Sequence, residues 1–292
     1  MNKEFNKGLL LAGFGSFWWG FFGVIYFKYI TFIGYIELVV HRCLWTTLTL
    51  ILTTFFFSKW DIFFKIIKSK QNLIYLFISG LLIFINWGVW IYAIATNRII
   101  DASFGYFIMP ILSVLLGYIF FKEKLNNKRI FSITLVILSI LYLIFVSLKS
   151  LPWVGILVAL SWGFYNLVRK KINVDTDIGL LIESLFILPI AIVAFYLIAV
   201  NGYNDFSLSN PPMMLILLLA GPMTVIPLFL YVRGVELCGL GPTGMIFYIT
   251  PTLQFLLGFF YYDEVFSFNK LVSFILIWIA VIIYLRDLYE TN

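Results

Sequence analysis

Tyr106-Phe107-Ile108-Met109-Pro110, followed by Gly117 and Glu123, returns later in the chain as Phe247-Tyr248-Ile249-Thr250-Pro251, followed by Gly258 and Glu264. One offset of 141 residues carries Pro110 to Pro251, Gly117 to Gly258 and Glu123 to Glu264. An earlier echo sets Trp19-Gly20-Phe21-Phe22 and Lys28 against Trp162-Gly163-Phe164-Tyr165 and Lys171 at an offset of 143, and Glu37 matches Glu183 at 146. A repeated half of roughly 140 residues in a hydrophobic chain is a mark of secondary transporters built from internal repeats.

Composition agrees with a membrane protein. The chain of 292 residues is 62% hydrophobic and 12% charged, with a mean hydropathy of +1.02. Soluble domains carry about 25% charged residues, and a chain of this size could not bury so much apolar surface in water. An aromatic content of 20% suits lipid-facing surfaces and interfacial belts. The net charge of +6 is spread over short connectors, with no basic patch or RNA-binding motif, so no nucleic-acid partner is expected. Cys43 and Cys238 lie in different apolar segments and, with a single histidine, offer no zinc set; small residues in helix packing is the expected role. Lys3 and Lys7 precede an apolar run without an A-x-A-like cleavage site, which reads as an uncleaved first helix.

A membrane span needs about 20 largely apolar residues. Hydropathy places ten, at 8–27, 34–57, 73–95, 102–121, 131–147, 152–168, 179–200, 213–235, 242–262 and 271–286, the fifth, sixth and tenth being short. The longest polar breaks are 58–72 and 201–212, so no soluble domain is expected. Basic residues fix the orientation. Lys3, Lys7, Lys59, Lys65, Lys68, Lys70, Lys122, Lys124, Lys128, Arg129, Arg169, Lys170, Lys171 and Arg286 make 14 on the N-terminal side, against 4 on the other: Lys28, Arg98, Lys149 and Lys270. Both termini are therefore expected in the cytoplasm. Five spans per half is an odd number, so the second half must enter the membrane upside down. The expected fold is an all-α polytopic membrane protein of ten transmembrane helices arranged as two inverted five-helix repeats, 1–150 and 151–292.

Several stretches carry a family resemblance. They are Asp101-Ala102-Ser103-Phe104-Gly105-Tyr106-Phe107 with Pro110, Gly163-Phe164-Tyr165-Asn166-Leu167-Val168-Arg169-Lys170-Lys171, and Tyr248-Ile249-Thr250-Pro251-Thr252-Leu253 with Phe255-Leu256-Leu257. Glu37 with His41-Arg42, Asn86-Trp87 and Leu181-Ile182-Glu183 add to them. Over about residues 8–286 the chain resembles the RarD-type permeases of the EamA family, in the drug/metabolite transporter superfamily. The resemblance implies ten helices in two inverted repeats and export of small molecules. Members are often labelled chloramphenicol-sensitivity proteins; the fold is carried over and the drug is not.

Few groups could act on a solute. An ionisable side chain inside a bilayer costs about 2.5–3.5 kcal/mol on insertion scales, so each needs a reason. Glu37 and His41 share a helix face, with Arg42 beside them. Glu37 falls near the outer end of span two and Glu183 near the inner end of span seven, positions that the repeat axis would exchange. Two readings stand: gates or ion-coupling carboxylates, one per face, or structural ion pairs near helix ends. In span four, Ser103, Tyr106, Pro110, Ser113 and Gly117 fall on one face; Gly244, Phe247, Pro251, Gln254 and Gly258 correspond in span nine. A mid-span proline frees the carbonyl four residues back and bends the helix, and freed carbonyls are tolerated where they line a cavity. Asn86, Trp87, Tyr106, Pro110, Ser113, Tyr248, Pro251 and Gln254 are therefore the candidates for a central cavity, with plain helix packing as the competing reading. Pro222 and Pro227 should bend span eight, where Arg233 and Glu236 should pair locally.

No P-loop, HExxH or GxSxG motif appears, so no ATPase of the chain's own would drive transport, and no cofactor or metal is expected. The function that fits is a secondary transporter exporting small metabolites or amphipathic drug-like solutes across the bacterial inner membrane by alternating access, its partners the small-molecule solute and the lipid bilayer, with oligomeric state left open. An intramembrane enzyme would need a cluster of catalytic polar groups at one depth. A non-transporting scaffold would have no use for two-sided symmetry.

Overall fold

The computed structural model describes residues 3–30, 32–96, 99–147, 153–172, 174–261 and 268–291. Arg98, Lys149 and Glu264 lie outside the described residues, as do the side chains of Asp101, Ala102, Ser103, Phe104, Phe255, Gly258 and Lys270. Among the described residues every regular element is helical.

The first rod is α1 (Lys3–Trp18), a π-helical turn (Trp19–Gly23) and α2 (Val24–Tyr29). Next come α3 (Tyr35–Phe56), a short amphipathic helix α4 (Trp60–Ile67) inside the polar break, and α5 (Lys70–Ala95). The first half closes with α6 (Ile99–Phe121) and α7 (Asn127–Ser147). The second half runs α8 (Trp153–Lys171), α9 (Thr176–Val200), α10 (Pro211–Leu218), α11 (Ala220–Cys238), α12 (Leu240–Ile246), α13 (Ile249–Tyr261) and α14 (Phe268–Thr291).

Among the described residues, seven stretches are long and apolar enough to cross a bilayer: Lys3–Tyr29, Tyr35–Phe56, Lys70–Ala93, Asn127–Val146, Thr176–Val200, Pro211–Cys238 and Leu271–Glu290. Of the three other expected spans, α6 is itself 23 residues long, and the part of it with described side chains, Gly105–Phe121, is apolar. Helix α8 ends in the charged run Arg169-Lys170-Lys171. The ninth is broken at Phe247–Tyr248 into pieces of 7 and 13 residues. Large apolar side chains such as Phe145, Ile119 and Ile282 stand outward on the helix surfaces, the pattern of a lipid-facing exterior.

The prolines act unequally. Pro110 sits within an unbroken α6. Pro251 instead lies in the first turn of α13, where its missing N–H costs no helical bond. The span halts just before it, so the expected bend at Pro251 is a full break. Likewise, span eight breaks at Leu219, ahead of Pro222, while Pro227 lies inside α11. Pro189, inside α9, carried no sequence expectation.

The interhelical contacts pair off between the halves. Helix α1 packs on α11, and α8 on α5; the π turn packs on α13, and α8 on α6; α3 packs on α11, and α9 on α5. The remaining large interfaces join one helix of each half: α3 with α9, α6 with α12, and α7 with α14. Across α7 and α14, Ser139 Oγ donates to the Ser273 carbonyl at 2.9 Å and Ser273 Oγ to the Ser139 carbonyl at 3.5 Å. Tyr248 donates to the carbonyl of Phe107, its mate at the 141 offset, at 2.9 Å. Gly20 and Gly163 let the first helix of each half close on the fourth helix of the other. A Cβ on Gly20 would lie 2.9 Å from the Thr250 carbonyl and 3.0 Å from Leu253 Cβ, and one on Gly163 would lie 2.6 Å from Leu112. Leu112 and Leu253 are themselves related by the 141 offset.

Candidate functional site

A cavity opens where helices of both halves meet. Trp19 and Gly23 reach it from the π turn, Phe27 from α2 and Arg42 from α3. Helix α5 supplies Asn86, Trp87 and Trp90, α6 supplies Tyr106, and α8 supplies Trp162. Phe247, Thr250 and Gln254 line it at and beyond the break in the ninth span. The extra residue of a π turn re-aims the side chains after it, and such turns are frequent at functional sites. Here it brings Trp19 edge-on to Trp162 at 5.0 Å and 82°. Those two tryptophans are mates at the 143 offset and face each other across the cavity wall.

Arg42 is the charged member of this lining, at 5% exposure. Its Nε donates to Thr224 Oγ1 at 3.1 Å. The guanidinium lies over Trp87 at 4.6 Å, Phe27 at 5.0 Å and Trp90 at 5.9 Å. No carboxylate pairs with it among the described residues. A cation–π contact contributes about 0.5–2 kcal/mol, whereas burying an ion costs several. The aromatic cage therefore offsets only part of the desolvation. Asn86 is held from one side, its Nδ2 donating to the Val158 carbonyl at 3.0 Å and Ser161 Oγ at 3.1 Å.

A second polar cluster lies away from the cavity, between α5, α8, α9 and α11. Glu183 accepts from Ser79 Oγ at 2.6 Å and from the Tyr165 hydroxyl at 3.2 Å, and its carboxylate stands 3.5 Å from Arg169 Nη1. Arg169 also faces Glu236 at 3.6 Å and donates to the Thr176 carbonyl at 3.2 Å. Glu236 further accepts from Thr176 Oγ1 at 2.7 Å and from Arg233 at 2.8 Å, the local pair that the sequence suggested. Two carboxylates and two guanidinium groups are thereby tied into one network.

Glu37, in the first turn of α3, gains from the helix N-terminus and accepts the Asp205 backbone N–H at 2.7 Å. It thereby pins the 201–210 connector to α3. His41 accepts from Trp45 Nε1 at its Nδ1, 3.0 Å away, which leaves Nε2–H to donate to Glu37 at 3.3 Å. Burial and the nearby Glu37 carboxylate push the Asp205 carboxyl above its usual range.

Asn86, Trp87, Tyr106, Gln254 and Arg42 meet at the cavity. Four other cavity candidates are engaged in packing. Ser113 donates to Met109 Sδ at 3.2 Å, and its Cβ and the Pro110 backbone press against Gly244. Tyr248 is spent on the Phe107 carbonyl, and buried Pro251 lies in the first turn of α13. Glu37, His41 and Glu183 are outside the lining, in the two clusters above. Trp19, Phe27, Trp162 and Thr224 were not singled out as site residues; the Trp-Gly-Phe echo marked the two tryptophans as repeat mates without showing that they meet. Arg169 read as one more connector cation, and only the fold brings it to Glu183 and Glu236.

Comparison with known proteins gives a consistent result. The profile of the EamA-like transporter family matches residues 6–145 and again 150–286. The chain is 34% identical over 292 residues to protein RarD of Escherichia coli, covering 99% of this chain and 97% of that one. It is 33% identical over 286 residues to the uncharacterized transporter YojE of Bacillus subtilis, covering 97% and 95%. The chloramphenicol-sensitive protein RarD of Pseudomonas aeruginosa is 24% identical over 252 residues, covering 85% and 83%. A crystal structure at 13% identity superposes with a TM-score of 0.71, covering 95% of this chain and 96% of that one, a likeness of fold.

Proposed function

Since the chain belongs to the EamA-like transporter family and is a multi-pass membrane transporter, we propose that it is a bacterial inner-membrane carrier that exports a small solute by alternating access. The reading takes ten spans, with 1–150 and 151–292 as inverted halves and both termini in the cytoplasm. Seven spans stand on length and hydropathy alone. The paired contacts between halves and the reciprocal Ser139–Ser273 bonds support the other three and the two-fold relation.

The observation that carries the proposal is the cavity itself. Residues of both halves line it: Arg42, Asn86 and Tyr106 from one, Trp162 and Gln254 from the other. A solute held there contacts both halves. If the halves rock, it is offered to each face in turn, and the solute shifts their populations only by binding the two states unequally. Trp87 and Asn86 shape the pocket, while Pro110, Ser113, Tyr248 and Pro251 act behind the lining by setting how α6, α12 and α13 pack. Glu37 with His41, and Glu183, tie helices together in two separate clusters, and we assign them to gating.

The test is cysteine accessibility. Val158→Cys, placed on the lining in a background with Cys43→Ala and Cys238→Ala, should react with an impermeant thiol reagent from either side of a vesicle. Protection from both sides under all gradients would contradict alternating access. Reporter fusions at the two termini should both read cytoplasm.

A further inference from the structure

We propose that the cavity takes solutes carrying one anionic group on an apolar, preferably flat, body, and that Arg42 is the residue that selects the anion. This rests on the cavity's being the solute site.

Arg129 meets Asp287 at 2.8 Å, and Arg169 meets both Glu183 and Glu236. Arg42 is as hidden as these, yet among the described residues no carboxylate reaches it. Among the described residues its side-chain hydrogen bond uses Nε, on Thr224. The four remaining N–H groups, on Nη1 and Nη2, belong to a guanidinium that lines the cavity. A guanidinium fork matches a carboxylate in a bidentate pair, and such pairs are the strong ones. The carboxylate neighbours that the chain itself supplies to Arg129 and Arg169 would be supplied to Arg42 by the solute.

The rest of the lining describes the body of that solute. Trp19, Trp87, Trp90, Trp162 and Phe247 present ring faces and edges, which suits an aromatic or aliphatic group. The polar groups besides Arg42, among them Asn86, Thr250 and Gln254, are uncharged and can orient it. A cationic amphipath would meet Arg42 with like charge and, among the described residues, no nearby carboxylate to answer it. A neutral one would leave the guanidinium without its partner.

Equilibrium binding to the purified full chain tests this with radiolabelled phenylacetate, phenylacetamide and phenethylamine, which share a ring and differ in charge. Hexanoate and indole-3-acetate, each beside its amide, extend the panel. We expect the acids to bind at least tenfold more tightly than their amides and the amine not to bind. Arg42→Gln should bring each acid down to its amide, and Arg42→Lys should keep part of the preference. Acids that bind no better than amides, acids that do not bind at all, or a preference that survives Arg42→Gln would overturn the proposal. The wild-type acid-to-amide ratio decides the question even if a variant fails to fold. Counterflow in proteoliposomes separates this inference from transport. Phenylacetate that binds through Arg42 but does not exchange would refute the carrier reading and uphold the anion site. An amide carried as fast as its acid would do the reverse.

Discussion

Arg42 and Arg169 are hidden alike, at 5% and 1% exposure, yet their surroundings are opposites. Arg169 stands between Glu183 and Glu236, in a network that also draws in Ser79, Tyr165, Thr176 and Arg233. Arg42 stands among tryptophans and an empty volume, with a threonine as its hydrogen-bonding partner. A buried ion pair costs desolvation and returns most of it when both partners are present. A buried lone charge does not, so its retention calls for a partner that arrives from outside. Exposure alone would rank the two residues as equals; the inventory of neighbouring carboxylates separates a structural charge from a receiving one.

The contrast is most exposed to attack at Arg169. Arg169→Met should cost about 3–5 kcal/mol, because buried Glu183 loses its cation while Glu236 keeps only Arg233. Thermal melts of detergent-solubilised protein would show it, and adding Glu183→Gln should restore part of the loss. A stable Arg169→Met variant would erase the distinction between the two sites. Glu183→Gln alone should cost less, about 1–3 kcal/mol, since Glu236 still faces Arg169 and a neutral amide can keep the contact with Ser79. Wild-type stability in that variant would mean that the network holds nothing together.

Two smaller effects sharpen the cavity side. Thr224→Val removes the hydrogen bond that aims Arg42, so it should lower stability by about 1 kcal/mol and weaken phenylacetate binding several-fold. An unchanged affinity would show that Arg42 needs no positioning. Ser113→Ala should change stability by about 0.5 kcal/mol or less and leave flux as in the wild type, because its hydroxyl meets only a thioether behind the cavity wall. A large loss of flux would move Ser113 back among the lining residues.

Much of the framework could be read from the chain alone. The offset of 141 residues finds its physical counterpart in the Phe107–Tyr248 bond, and the class of membrane protein follows from hydropathy. What escaped were features set by contact rather than periodicity. The faces of α6 and α13 looked equivalent, and spacing could not tell that Tyr106 and Gln254 reach open space while Ser113 and Pro110 press on Gly244. The π turn at Trp19–Gly23 left no sequence signal, because the same Trp-Gly-Phe pattern runs through α8 without one. Arg169 sits in a basic run that reads as an interfacial anchor, and its burial depends on α9 and α11 folding over it.

The central claim is that Arg42 is kept for the solute and not for the fold. The direct measurement is a paired one on the Arg42→Gln protein: thermal stability, and phenylacetate counterflow per folded molecule in proteoliposomes. The account predicts stability within about 1 kcal/mol of wild type, because removing a partly compensated buried charge offsets the lost cage contacts, together with a loss of flux of tenfold or more. Wild-type flux from a destabilised protein would contradict it, and would place Arg42 with Arg169 as a structural charge.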